Sequence, residues 1–187
     1  MSTLPDTPYH HGDLRRALLE AALVILDRDG EQGLQLRDLA RALNVSPAAP
    51  YRHFDSRAAL LEALAVTGFQ RFTRMMETAA AEHDDATRPL AMGKAYVHFA
   101  LANPGLFRLM FSPQLRRDNR PGLRMAADAA FGTLRHVTGS DTTAGLIPAL
   151  SAWTRVHGLA VLLLDGQIAS RAGQDSDALI AAILGEL

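Results

Sequence analysis

The chain has no cysteine, one tryptophan and one lysine in 187 residues. Without cysteine, neither a disulfide framework nor a thiolate zinc site is available. The single lysine among nineteen basic residues is a compositional habit and excludes nothing. A charge of one sign is missing too: the net charge is −1. Residues 1–57 hold 7 Lys+Arg against 8 Asp+Glu, and the remainder holds 12 against 12. Any basic face must therefore come from local placement of Arg15, Arg16, Arg37, Arg41, Arg52 and Arg57. The uninterrupted apolar run Leu159 to Leu164 is ended by Asp165 and is too short to span a bilayer. Pro5 and Pro8 stand where a signal peptide would need an apolar run. The expectation is a soluble cytoplasmic protein with no membrane partner. Enzyme signatures are lacking as well: there is no nucleophile elbow, phosphate-binding glycine loop, HExxH or paired-carboxylate pattern. Ser112, Ser140 and Ser151 have no recognisable base nearby. No enzyme, no cofactor and no metal are expected; the adjacent His10 and His11 have no third ligand at helical spacing.

What is present is helical. Alternating strand patterns, internal repeats and low-complexity tracts do not occur, and apolar residues at 48% suffice for a core. The most informative stretch runs from Leu36 to Leu64. Leu36, Leu39, Ala40 and Leu43 make one apolar stripe at helical spacing. Asn44 tolerates the left-handed backbone needed to leave a helix sharply. Val45 can plug the corner, Ser46 is a good N-cap and Pro47 suits a first helical turn. A second short helix then carries Tyr51, Arg52 and His53. This is the helix-turn-helix plan, whose second helix enters the DNA major groove.

Around it, a first helix spans about Gly12 to Arg28, with Leu14, Leu18, Ala21 and Ile25 on one face, and Gly30 and Gly33 break it. Met1 to Pro8 reads as an arm. A long fourth helix begins with Ser56 as N-cap and reaches about Glu82, roughly 40 Å at 1.5 Å per residue. Its stripe is Leu60, Leu61, Leu64, Gly68, Phe72 and Met75. Later helices are expected over Pro89–Ala102, Asn103 to about Phe111, Gly122–Val137, Thr143–Gln167 with Pro148 inside, and from Ser176 onward. The fold is expected to be all-α, with about nine helices in two domains. Residues 1–57 form the arm and a three-helix DNA-binding domain, and residues 58–187 a helical ligand-binding and dimerisation domain.

Val45-Ser46-Pro47-Ala48-Ala49-Pro50-Tyr51-Arg52-His53-Phe54-Asp55-Ser56-Arg57 resembles the DNA-reading segment of the TetR family of bacterial transcriptional regulators. Trp153 with His157 and Gly158 is similar to the motif of the subfamily whose C-terminal domain is named for Trp-His-Gly. Asn103 to Phe111 and Tyr9 to Arg15 are similar to that subfamily too. The resemblance implies a ligand-responsive dimeric regulator, most often a repressor, on double-stranded DNA. Tyr51, Arg52, His53, Arg57 and Arg37 can donate to phosphate oxygens, as residues at matching positions do in the family. Ser46, Pro47, Ala48 and Ala49 lie at the groove-facing start of the reading helix, where the alanines can meet thymine methyl groups but cannot hydrogen-bond bases. Pro50 departs from the family pattern, in which an aliphatic residue is usual. Proline removes an early helix bond and restricts Ala49, so this helix is short or locally 3₁₀. The Tyr9-His10-His11 arm reads equally as a phosphate-reaching segment and as a tail. Taken singly, Phe72, Met75, Phe99, Phe107, Met110, Trp153 and His157 suit a packed core. The resemblance implies that they line a pocket for an unknown small-molecule effector.

The eighth and ninth helices are too apolar for a free surface: Leu159, Leu162, Leu163, Ile183 and Leu187 cannot all face one small core. Two copies packing them as a four-helix bundle would form a homodimer suited to a palindromic operator. The alternative is an interaction protein that keeps the helix-turn-helix fold without DNA binding, a reading drawn from Pro50 and the missing basic charge.

Overall fold

The structure, a computed structural model, describes residues 11–115, 119–137, 143–168 and 176–185. Among these the chain is all-α: eight α-helices and two 3₁₀ turns, with no strand. Packing divides it between Leu64 and Ala65 into two units. The Tyr9-His10 arm, the Gly139–Asp141 turn and Leu187 lie outside the described residues.

The first unit opens with α1 (His11–Asp29). Its buried face is Leu14, Leu18, Leu19, Ala22 and Leu26. Ala21 and Ile25, expected on that face, are half-buried at its edge. The buried face is thus rotated by about one residue from the expected one. Gly30 stops α1 with φ at 69°, a backbone region that favours glycine. A 3₁₀ turn over Glu31–Gly33 leads to α2 (Leu36–Ala42). Asn44 leaves α2 in the left-handed region with φ at 52°. Its N–H donates to the Arg41 carbonyl at 3.2 Å, and Val45 N–H donates to the Ala40 carbonyl at 3.0 Å. These are the two bonds of a Schellman C-cap, which satisfies the last carbonyls of α2.

The expected third helix is a 3₁₀ turn, Pro50–Arg52, so the α-helix count is eight. Ala49 keeps right-handed helical angles before proline, a region that proline usually disfavours. Ser46 acts here through its backbone carbonyl, which accepts from Ala49 N–H at 2.9 Å; no side-chain cap precedes the turn. Pro50 and Phe54 are buried and anchor the segment at both ends. The Arg15 guanidinium lies 5.2 Å from the centre of the Phe54 ring. Ser56 then caps α3 (Arg57–Ala81), its Oγ accepting from Ala59 N–H at 3.1 Å. The boundary between the units falls inside α3, and Leu60, Leu61 and Leu64 are buried in its first turns.

The second unit continues α3 and adds α4 (Arg88–Ala102), α5 (Pro104–Met110), α6 (Pro121–Val137), α7 (Thr143–Leu164) and α8 (Ser176–Gly185). Helix α4 is the hub, packed by α5, α7 and α8. Gly68 lets α3 and α5 approach closely: a Cβ there would meet Met110 Sδ at 2.7 Å and Leu106 Cδ1 at 3.0 Å. Asn103 joins the two helices: its carbonyl accepts from Phe107 N–H at 2.8 Å at the N-cap of α5, and its Nδ2 donates to the Phe99 carbonyl at 3.0 Å and closes α4. Asp177 ties α8 to α4, accepting from Lys94 Nζ at 2.6 Å and pairing with His98 Nε2 at 2.7 Å. Those two hydrogen bonds hold the Asp177 carboxyl below its ordinary range. Over Leu146–Leu164, α7 has a mean hydropathy of 1.4 and is only 22% buried. By length and composition that window could cross a membrane, which the short uninterrupted run Leu159–Leu164 had hidden.

Candidate functional site

Two sites stand out, one in each unit. In the first, Pro47 and Ala48 are exposed at the apex of the segment leaving α2, and Ala49 is half-buried. Tyr51 (45% exposed) and Arg52 project from the 3₁₀ turn, with His53 half-buried beside them. A phenol, a guanidinium and an imidazole are thus presented next to a bare methyl surface. Ser46 and Arg37 are also exposed. Arg41 is taken up by Asp38 at 3.0 Å. Arg57 sits differently from the others. Its Nε donates to the Leu34 carbonyl at 2.9 Å and its Nη2 to the Glu31 carbonyl. Those carbonyls flank the first 3₁₀ turn, so Arg57 braces the unit from within. The carbonyl pattern that recruits it arises from folding, so residue type alone gave no signal of it.

In the second unit, a cavity of about 190 Å³ lies among α3, α4, α6 and α7. Phe69, Phe72, Tyr96, Phe111, Phe131 and Trp153 supply its aromatic wall, and Met76 and Leu134 add to it. Of the residues expected here, Phe72 and Trp153 line the cavity. Phe99, Phe107 and Met110 are 4%, 2% and 1% exposed and belong to the packed core behind it. Met75 is half-buried, and its neighbour Met76 takes the cavity position. Rings at Phe72 and Phe99 meet edge to face with centroids 5.3 Å apart, so Phe99 supports the wall without forming it.

Tyr96 is the residue that sequence reasoning missed. It is 2% exposed at the centre of α4. Trp153 Nε1–H donates to its hydroxyl at 3.1 Å, and the hydroxyl donates to His157 Nδ1 at 2.9 Å. Trp153 and His157 are four residues apart on α7, hence on one face, and both turn to Tyr96. Burial raises the Tyr96 pKa and lowers that of His157. Both groups are held neutral, and a neutral imidazole with a bare Nδ1 is what the Tyr96 O–H requires. His157 also packs tilted against Phe107 and edge to face against Phe111, with centroids at 5.4 and 4.6 Å. At Gly158, next in the motif, a Cβ would meet nothing within 4 Å.

Comparison with known proteins agrees with both halves. The profile described as "Bacterial regulatory proteins, tetR family" matches residues 18–64, and that described as "Tetracyclin repressor-like, C-terminal domain" matches residues 90–187. The chain is 31% identical over 96 residues to the uncharacterized HTH-type transcriptional regulator YobS of Bacillus subtilis (strain 168). That match covers 51% of this chain and about half the length of the curated relative. A solved protein of unknown function from Rhodococcus sp. RHA1 is 36% identical, with a TM-score of 0.83 over 97% of this chain and 96% of the other. AibR, solved with isovaleryl coenzyme A and operator DNA, is 18% identical, with a TM-score of 0.69 over 93% of this chain and 97% of its own; it shares the fold. The chain is a transcriptional regulator with a helix-turn-helix domain, and it belongs to the TetR family.

Proposed function

We propose that the protein is a ligand-responsive, dimeric repressor that acts in the cytoplasm on a palindromic operator. The observation that carries the DNA reading is the set of exposed Tyr51 and Arg52 with half-buried His53, held on a turn fixed by the Asn44 C-cap and buried Pro50. These side chains, with Arg37, suit phosphate oxygens, and Pro47 and Ala48 allow close approach to base edges and thymine methyl groups. With the helix reduced to a 3₁₀ turn, sequence preference rests partly on DNA shape.

Dimerisation is supported by α7. Ile147 is 69% and Leu162 44% exposed, and Leu146 and Leu150 are exposed near Ile147. Near its end, Gly158, Leu159 and Leu162 form an apolar groove with Ile168, Ile183 and Leu184. A second copy covering α7 and α8 would bury this surface and set two reading turns about a two-fold axis. The cavity supports the effector role, as pockets of this kind are largely apolar with few polar groups. Helix α3 supplies buried residues to the first unit and Phe69, Phe72 and Met76 to the cavity wall, which supports coupling through it.

The test is selection of bound duplexes from random DNA, with sedimentation of the free protein. An enriched two-fold symmetric sequence and a dimer at micromolar concentration are expected. The alternative, an interaction protein without DNA binding, draws on the missing basic charge; it predicts no enrichment at all.

A further inference from the structure

We infer that the cavity of the second unit takes a small organic cation, held by its aromatic wall and by the carboxylate of Asp128. This rests on reading that cavity as the effector site and names the class of effector. Its polar groups decide the class. Tyr96 Oη, Trp153 Nε1 and Asp128 are the hydrogen-bonding side chains that line it. The first two are spent on each other and on His157, with bonds of 3.1 and 2.9 Å. A ligand that broke this chain would strand a buried tyrosine hydroxyl. Asp128 remains. It is exposed on α6 between the lining residues Ala127 and Phe131, and among the described residues no ion pair or hydrogen bond occupies it.

A carboxylate accepts and never donates when ionised, so the ligand's polar end must donate or be positive. An anionic end would meet like charge. The rest of the wall selects in the same direction. Six aromatic side chains surround about 190 Å³. Aromatic faces carry negative quadrupole density, and cages of such rings hold ammonium groups. The volume admits a single ring or a short alkyl frame rather than a long chain.

The probes are benzyltrimethylammonium, its uncharged carbon isostere 2,2-dimethylpropylbenzene, and phenylacetate. Trp153, the only tryptophan, reports occupancy by fluorescence. We expect the cation to bind about tenfold more tightly than the isostere, and phenylacetate more weakly than either. Asp128→Asn should remove most of the cation's advantage and leave the isostere unchanged. Asp128 is exposed, so this variant should keep the wild-type melting temperature. Equal affinities for cation and isostere, or an Asp128→Asn variant that binds the cation as wild type does, would overturn the assignment while leaving an apolar effector site intact. No fluorescence response to any of the three probes would remove the effector reading together with the cation.

Discussion

The two units keep their candidate functional residues in opposite ways. The first puts them outside: Tyr51 and Arg52 project from a short segment, and backbone caps within about ten residues fix their direction. The second puts them inside, where Tyr96 meets Trp153 and His157 across 57 and 61 residues of sequence. A surface that reads a charged polymer needs rigid local geometry and free donors. A cavity needs rings assembled from several helices, with their polar atoms already satisfied.

Substitutions inside one unit should therefore leave the other's local stability intact, and the largest effect should come from the surface of the proposed dimer. Leu162→Arg or Ile183→Arg would place an unpaired charge in the proposed α7–α8 interface, at a cost of several kcal/mol. Sedimentation should show monomers, with operator affinity falling more than tenfold. If both variants sediment as wild type does, the interface lies elsewhere.

Next in size is Arg57→Met. It removes two charge-assisted bonds to the Leu34 and Glu31 carbonyls. The first unit should lose about 2–3 kcal/mol, seen as earlier hydrogen exchange of α1 and α2 amides. Trp153 fluorescence should not change. Unaltered exchange would show that Arg57 is no brace and would return it to the DNA-facing set.

Tyr96→Phe is the counterpart in the second unit. It keeps the ring but strands Trp153 Nε1 and His157 Nδ1, at about 1–2 kcal/mol. Trp153 emission should shift, and exchange in α1 and α2 should stay as it was. An effect on the first unit as large as on the second would break the comparison drawn above.

The smallest effect is a pH dependence. Burial lowers the His157 pKa below its ordinary value of about 6.5. The unfolded chain then binds more protons than the native one between the two values, so stability rises with pH across that window. Below about pH 6.5 the wild type should lose stability progressively, and His157→Phe should flatten that slope. An unchanged slope would mean that His157 is not the titrating group. Asp177, whose carboxyl is held low, adds a separate loss only as pH falls below its ordinary value, about 4.

The same contrast explains what could be read from sequence. The turn from Leu36 to Arg57 was legible because its signals are local. Asn44 takes positive φ as its residue type suggests, Ser56 caps α3, and Pro50 shortens the reading helix. Phe72 and Trp153 were singled out in the sequence and line the cavity, whereas Tyr96, Phe111, Phe131 and Asp128, which line it too, were not singled out. Apolar spacing says which face of a helix is buried and not which buried ring borders empty space. Met76 is buried in place of Met75, and Ala22 in place of Ala21: apolar spacing fixes helix rotation only to within about one residue. Arg57 was misleading for a further reason: its partners are carbonyls of a turn 23 and 26 residues away.

The central claim is that the turn over residues 47–53 is the DNA-reading surface. Fluorescence anisotropy of a selected duplex with the folded Tyr51→Ala/His53→Ala double variant tests it directly. Each lost phosphate contact is worth about 1 kcal/mol or more, so affinity should fall at least about tenfold. The loss should be the same for operator and unrelated duplexes, because phosphate contacts carry no sequence information. Operator affinity equal to wild type in the double variant, with its helical content intact, would contradict the account.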